Sequence, residues 1–155
     1  VLVAISAFQT VTLQESAMEP TYSVGQKFFV NRALYKIKSP KRGDVIVFKT
    51  SASDDAALHI RRVIGLPGET VQIKEGQIYI NGNVYEENGA YQEIADGGLA
   101  DSAITLESGE YFVLGDNRNN SEDSRFSDIG NISKKYIVGK IWFTVSPKSK
   151  IGFIR

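Results

Sequence analysis

Residues 60–82 of the chain have the sequence IRRVIGLPGETVQIKEGQIYING. Three runs rich in strand-forming residues stand close together here, Ile60–Leu66, Thr70–Lys74 and Gln77–Ile80. Pro67-Gly68 predicts a tight turn after the first run. Asn81-Gly82 predicts a type I′ hairpin turn after the third, because both residues tolerate a positive φ. This stretch therefore predicts a protein built from short, consecutive β-strands.

The same period-two alternation continues along the rest of the chain. It predicts an all-β fold with mainly antiparallel, strongly twisted sheets and very little helix. Single helical turns are expected only at Ala33–Ile37 and Lys134–Tyr136. The further predicted strands are Thr10–Leu13, Lys27–Asn31, Asp44–Lys49, Tyr111–Leu114 and Ile137–Val145.

The length and hydrophobic content predict a single domain over residues 1–155, because 155 residues with 42% hydrophobic content can bury one substantial core. The alternation weakens between Tyr85 and Ser108, where polar residues and glycines accumulate. We interpret residues 85–108, approximately, as a small lid or loop insertion.

The composition excludes several classes of function. Eighteen basic residues balance eighteen acidic ones, so no overall field attracts nucleic acid or an anionic membrane leaflet. The chain has no cysteine and one histidine, which excludes disulfides, thiolate zinc sites and histidine clusters. We therefore predict no metal site, no cofactor and no nucleic-acid partner.

The first residues of the chain, Val1–Phe8 (VLVAISAF), are apolar. No stretch approaches the roughly 20 apolar residues that span a bilayer. Two interpretations of this segment are open. It is either an ordinary first strand or the remnant of a membrane anchor.

Three polar clusters are candidates for a functional site: ESAMEPT (residues 15–21), LHIRRVIGLPGE (58–69) and GDNRNNSEDSR (115–125). Each also has a structural interpretation. The first is then a polar turn closed by Pro20, and His59 is a surface or strand histidine. Arg61 and Arg62 point to opposite faces of a strand, so one is solvated while the other meets a carboxylate. The third is a loop whose charged side chains satisfy each other, namely Asp116, Arg118, Asp123 and Arg125.

Taken in order, these clusters resemble the conserved boxes of bacterial type I signal peptidases of the Gram-positive kind. These are membrane-anchored serine proteases that remove signal peptides from exported proteins. The resemblance runs from about Val11 to Trp142 and implies the signal peptidase I or LexA-like fold. The matching segments are Ala17–Thr21 (AMEPT, for Ser-Met-x-Pro-Thr), Gly43–Phe48 (GDVIVF), His59–Glu69 (HIRRVIGLPGE) and Gly115–Arg125 (GDNRNNSEDSR).

The resemblance assigns roles by position. Ala17 stands where the family has its nucleophilic serine, and Arg61 stands where it has the lysine base. Glu15 occupies the oxyanion-hole position, and Ser121 the position that orients the base. A methyl group cannot attack a carbonyl, and a guanidinium stays protonated and has no lone pair to accept a proton. Dyad catalysis is therefore not expected.

The resemblance also implies a substrate groove and a loop that supports it. The groove residues are Met18, Pro20, His59 and Ile60, and the supporting residues are Arg62, Asp116, Asp123 and Arg125. The groove is expected to hold an extended segment by adding it as a β-strand.

Several functions stay open. The favoured one is a natural pseudoenzyme, since signal-peptidase-like proteins without the dyad are encoded beside pilins and sortases in Gram-positive bacteria. It would hold a pilin or another exported polypeptide on the extracytoplasmic face of the cell membrane, joined to it by an N-terminal anchor. The alternatives are a peptidase disabled by deliberate substitutions, an enzyme that uses Ser16 or Ser124 with His59 as base, and a purely structural β-domain.

Overall fold

The computed structural model describes residues 8–154. The two interpretations of Val1–Phe8 therefore concern a segment that lies outside the described residues except at Phe8, where the first strand begins. The described part of the chain contains twelve strands and one short α-helix, which confirms the predicted all-β class.

The strands are β1 (Phe8–Thr12), β2 (Lys27–Asn31), β3 (Val45–Phe48), β4 (His59–Gly65), β5 (Thr70–Lys74), β6 (Gln77–Ile80), β7 (Asn83–Val84), β8 (Ile104–Thr105), β9 (Glu110–Leu114), β10 (Ile132–Ser133), β11 (Ile137–Ser146) and β12 (Gly152–Phe153). The helix is α1 (Leu34–Ile37), and 3₁₀ turns occupy Ser16–Met18, Gly98–Asp101, Lys134–Tyr136 and Lys148–Lys150.

Two antiparallel sheets form the molecule. The larger has eight strands in the order β1-β2-β11-β3-β4-β9-β10, with β12 paired to β11. The smaller has four strands in the order β7-β6-β5-β8. Predicted and observed bounds coincide for β2, β5 and β6. The two-residue strands β7, β8, β10 and β12 were not predicted, because two residues cannot display an alternation.

The predicted hairpin turn between β6 and β7 is confirmed. Asn81 and Gly82 have φ values of 52° and 83°, as a type I′ turn requires. A second turn of this kind, which was not predicted, joins β5 to β6 at Glu75 and Gly76, with φ values of 53° and 76°. A glutamate with a positive φ is uncommon, so this turn carries no strong sequence pattern.

The hydrophobic core joins the two sheets. Phe112 and Leu114 of β9 pack in one buried cluster with Val71 and Ile73 of β5. Buried side chains from the 85–108 segment, Ile94, Ala100 and Leu106, belong to the same cluster. This segment therefore contributes to the core, while its action as a lid stays a prediction.

Candidate functional site

Ala17 lies in the 3₁₀ turn Ser16–Met18, which follows β1. It is 4% exposed, and its carbonyl accepts a hydrogen bond from the backbone N–H of Asn117 at 2.8 Å. The side-chain amide of Asn117 also donates to the carbonyl of Ser16 at 3.1 Å. Loop 115–125 is thus fixed directly against the turn that carries Ala17.

Gly115 makes this close contact possible. A Cβ atom at this position would stand 2.1 Å from Ser121 Oγ and 2.6 Å from the carbonyl oxygen of Ala17. Such distances are not tolerated between non-bonded atoms, so a side chain at residue 115 would push the loop away from Ala17.

Arg61, on β4, is 1% exposed, and all three nitrogens of its guanidinium have partners. Nε donates to the carbonyl of Glu122 at 2.7 Å, and Nη1 donates to the carbonyl of Ile60 at 2.7 Å. Nη2 lies 2.5 Å from Oε2 of Glu15. A buried guanidinium is tolerated only when its charge and donors are satisfied in this way.

Glu15 connects Arg61 with His59. Its second oxygen, Oε1, lies 2.8 Å from His59 Nδ1, and the imidazole packs against the ring of Phe48 with centroids 5.6 Å apart. Burial alone raises the pKa of the Glu15 carboxyl, but the hydrogen bond with His59 and the charge of Arg61 outweigh burial and hold that pKa below its ordinary value. Glu15 is therefore an anion in the neutral pH range.

The expectation that one of Arg61 and Arg62 is solvated is wrong. Arg62 binds Asp116 through two hydrogen bonds of 2.8 and 2.7 Å, and its side chain is only 13% exposed. The two side chains leave opposite faces of β4, but loop 115–125 and the turn at Glu15 cover both faces.

Loop 115–125 satisfies its own charges only in part. Asp123 and Arg125 form a buried ion pair, as expected. Asp116 instead binds Arg62 of β4, and Arg118 binds Glu87, so the prediction that these four residues satisfy each other is wrong for half of them. Their partners lie far away in the sequence, where local spacing gives no indication of them.

Ser121 and Ser124 both serve the structure of the same loop. Ser121 donates to Oδ2 of Asp123 at 2.8 Å. Ser124 is fully buried, and its hydroxyl accepts the N–H of Val113 at 2.9 Å. A fully buried hydroxyl that is held in this way cannot reach a polypeptide substrate, which argues against Ser124 as a nucleophile.

A cavity of about 660 Å³ opens over Ala17, and we call it the Ala17 cavity. It brings together six of the residues singled out in the sequence, Glu15, Ser16, Ala17, His59, Arg61 and Ser121. Asn119, Asn120 and Glu122 also line it, and they lie in the 115–125 cluster, where no role of their own was predicted for them. The other lining residues, Phe126, Asp128 and Ile129, were not identified from the sequence.

Three predicted groove residues do not line this cavity. Met18 and Ile60 are 0% and 3% exposed and pack in the core beneath it. Pro20 lines a separate depression beside Asp116 and Asn117. The side chains of Met18 and Ile60 therefore belong to the core and do not line the cavity.

The backbone of β4 is paired unequally beside the cavity. On one side, β3 pairs with β4 from His59 through Arg62. On the other side, the ladder with β9 begins only at Arg62, opposite Leu114. Among residues 8–154, the stretch His59–Arg61 consequently has a neighbouring strand on one side only, and His59 and Arg61 line the cavity.

The described residues give no indication of a metal or a membrane span. Within residues 8–154, no helix has the length and apolar character that crossing a membrane requires. The same part of the chain holds no cluster of three or more His, Asp or Glu side chains that would coordinate a metal ion.

Residues 1–146 match the family described as signal peptidase, peptidase S26. The chain is 31% identical over 146 residues to "Probable signal peptidase I-2" of Synechocystis sp., and the match covers 92% of the chain and 65% of that protein. It is 32% identical to signal peptidase I of Bacillus licheniformis, over 97% of the chain and 83% of that protein.

A solved structure agrees with these relatives. The chain is similar to the crystal structure of a signal peptidase I from Enterococcus faecalis V583, with 33% sequence identity and a TM-score of 0.51. The similarity covers 67% of the chain and 97% of the crystallised chain.

Proposed function

Because the chain belongs to the signal peptidase family, peptidase S26, we propose that it holds an extended segment of an exported polypeptide at the Ala17 cavity without cleaving it. The observation that carries this proposal is the ion pair between the buried Arg61 guanidinium and the partly exposed Glu15 carboxylate, which occupies the wall of the cavity beside a partly unpaired strand.

The lack of cleavage follows from the groups that line the cavity. The methyl group of Ala17 has no oxygen with which to attack a peptide carbonyl. The guanidinium of Arg61 donates to two carbonyls and binds Glu15, and it has no lone pair to accept a proton. Neither step of a Ser/Lys mechanism is available.

The Glu15–Arg61 pair favours a natural pseudoenzyme over a peptidase disabled by deliberate substitution. A guanidinium that is 1% exposed requires a compensating charge, and Glu15 supplies it. A deliberate exchange of the nucleophile and base would explain Ala17 and Arg61, but it gives no reason for Glu15. A natural pseudoenzyme accounts for Glu15, Ala17 and Arg61 together.

Binding is expected through the backbone of β4. In the described part of the chain, no strand pairs with His59–Arg61 on the β9 side, so an extended segment can lie beside this stretch as an added strand. The carbonyl of Ile60 already accepts one hydrogen bond from Arg61. A carbonyl oxygen has a second lone pair, so a bound strand can share this acceptor.

We propose a pilin-like or other exported polypeptide as the partner, with sortase-linked pilus assembly as the setting. The site is then on the extracytoplasmic face of the cell membrane, with the chain joined to the membrane by an N-terminal anchor. No cofactor takes part. The support is the family membership together with the Ala17 and Arg61 positions.

Titration with peptides tests the binding. An isotope-labelled chain is mixed with millimolar peptides from a pilin and from the signal-peptide region of an exported protein, and amide shifts are followed by NMR. We expect shifts at Ile60, Arg61, Ser121 and Glu122. Asn120→Trp, which fills the cavity from an exposed position, should abolish them, while Asn88→Trp on an exposed loop should not. A wild-type chain without shifts would favour the purely structural β-domain.

One observation favours a second candidate function. Ser16 lines the same cavity as His59, and His59 is oriented by Glu15, so a serine, a histidine and a carboxylate share one site. Incubation of the purified chain with a signal-peptide substrate decides between the two. Our proposal expects no cut, whereas a cut at a defined bond that disappears in Ser16→Ala would establish the second candidate.

A further inference from the structure

A second concave site lies away from the Ala17 cavity, between α1, the end of β3 and the turn Lys134–Tyr136. It encloses about 720 Å³. Five basic side chains line it, and among the described residues no acidic side chain does. We call it the basic pocket, and its cations are Arg32, Lys36, Lys49, Lys134 and Lys135.

This concentration of charge stands against a neutral background. The chain has eighteen basic and eighteen acidic residues, so its formal net charge is zero. The nearest acidic residues along the chain after Lys49, Asp54 and Asp55, are exposed and do not line the pocket. A net charge of zero argued against an anionic partner, but it does not prevent one concave site from being strongly positive.

The fold brings these cations together from distant parts of the sequence. Arg32 directly follows β2, Lys36 lies in α1, and Lys49 directly follows β3. The backbone N–H of Lys49 donates to the carbonyl of Tyr136 at 3.0 Å. This bond fixes the end of β3 beside the turn that carries Lys134.

The backbone that supports the cations is well fixed. Asn31 Oδ1 accepts the N–H groups of Ala33 and Leu34, both at 3.0 Å, at the start of α1. Tyr35 is buried and donates its hydroxyl to Asp44 at 2.7 Å. The backbone that carries Arg32 and Lys36 is thus held by packed elements.

The charges of the five cations are not used elsewhere. Within residues 8–154, the ion pairs between basic and acidic side chains include none of them. Lys134 Nζ lies 3.3 Å from Ser39 Oγ, and Lys135 Nζ lies 5.1 Å from the ring centroid of Tyr136. Neither contact neutralises charge, so the pocket keeps a positive potential that a multiply charged anion would relieve.

We propose that the basic pocket binds a phosphate group, either on a phospholipid headgroup or on a soluble phosphate. Lysine and arginine are the residues that bind phosphate, lysine as a compact charge and arginine through its planar fork. A multiply charged phosphate matches several converging cations better than a single carboxylate. Ile37, 86% exposed on α1 next to Lys36, is an apolar side chain that a lipid interface would accommodate.

Two binding measurements with the whole chain test this proposal and separate the two sources. Inorganic phosphate is titrated at low ionic strength while amide shifts are followed by NMR. Vesicles of phosphatidylcholine, with and without phosphatidylglycerol, are used in co-sedimentation. We expect saturable shifts around Lys36, Lys49 and Tyr136 if the source is soluble phosphate, and binding only to the anionic vesicles if it is lipid. Both should weaken as salt rises.

A matched pair of variants locates the site. Lys49→Gln, Lys134→Gln and Lys135→Gln together should weaken either interaction by at least roughly tenfold. Lys27→Gln, Lys148→Gln and Lys150→Gln remove the same charge near the opposite end of β11 and should have little effect. Equal losses in both variants would indicate diffuse attraction, and no shift with phosphate and no preference for anionic vesicles would mean that the pocket is an ordinary solvated surface. Either result overturns the proposal.

Discussion

At the scale of single residues, Glu15 connects the two basic side chains that line the Ala17 cavity. Its carboxylate lies between Arg61 and His59. A lysine placed at residue 61 would meet the same carboxylate, and an adjacent negative charge stabilises the protonated amine. A general base must be neutral before it can accept a proton. Glu15 would therefore keep a lysine introduced at residue 61 from acting as a base.

This contact predicts different effects for substitutions at Glu15, Ala17 and Arg61. The double variant Ala17→Ser with Arg61→Lys should stay essentially inactive on a signal-peptide substrate. Adding Glu15→Ser, which removes the carboxylate, should raise the initial cleavage rate by roughly 100-fold or more. The control is Glu15→Ser with Ala17→Ser alone, which keeps Arg61 and should not cleave. Equal rates for the double and triple variants would contradict this role of Glu15.

At the scale of elements, ion pairs fasten loops onto the strands that carry the site. Arg42, just before β3, binds both oxygens of Glu69 at 2.7 and 2.8 Å, and Glu69 Oε1 also accepts the N–H of Leu66 at 2.7 Å. The turn between β4 and β5 is thus joined to the approach to β3. The hydrogen bonds from Arg42 hold the pKa of the Glu69 carboxyl below its ordinary value of 4.5.

The depressed pKa makes this connection sensitive to acid. A carboxylate whose pKa is lower in the folded state stabilises the fold above pH 4.5 and loses that contribution as the pH falls through the folded value. Glu69→Gln should reduce the free energy of unfolding by about 1 kcal/mol at pH 7. The difference from wild type should shrink below pH 4.5, measured by urea denaturation across pH. A difference that is constant with pH would mean that the charge is not responsible.

A second pair fastens the 85–108 segment. Arg118 is 1% exposed, binds Glu87, and lies 4.2 Å from the ring centroid of Tyr91. Glu87→Gln leaves this guanidinium buried without a counter-charge, so we expect the free energy of unfolding to fall by about 3 kcal/mol. Amide exchange in residues 85–95 should accelerate. The exposed neighbour Glu86→Gln is the control and should change stability by no more than about 0.5 kcal/mol.

The sequence predicted local features and could not predict long-range pairs. The Asn81-Gly82 turn and the bounds of β5 and β6 follow from neighbouring residues, and they are confirmed. The His59–Glu15 contact spans 44 residues and the Arg62–Asp116 contact spans 54, and no spacing rule connects such positions. The family boxes indicated site positions for Glu15, Ala17, Arg61 and Ser121. They did not indicate that Glu15 would bind Arg61.

At the scale of the whole molecule, the two sheets share one core and should unfold together. Phe112 belongs to the larger sheet through β9 but is fully buried among the side chains of the smaller sheet. The smaller sheet therefore lacks a complete core of its own. Its four strands are therefore not expected to form an independent domain, because such a domain would bury its apolar face internally.

Phe112→Ala should lower the free energy of unfolding by about 3–5 kcal/mol, because it opens a cavity between the sheets. Trp142 fluorescence reports on the larger sheet through β11, and the amide resonances of Val71 and Ile73 report on the smaller one. Their urea midpoints should coincide in wild type and shift together in the variant. Phe153→Ala, at a side chain that is 73% exposed, should shift neither midpoint appreciably. A smaller sheet that melts first in the variant would mean that it is a separate cooperative unit resting on a stable eight-stranded sheet.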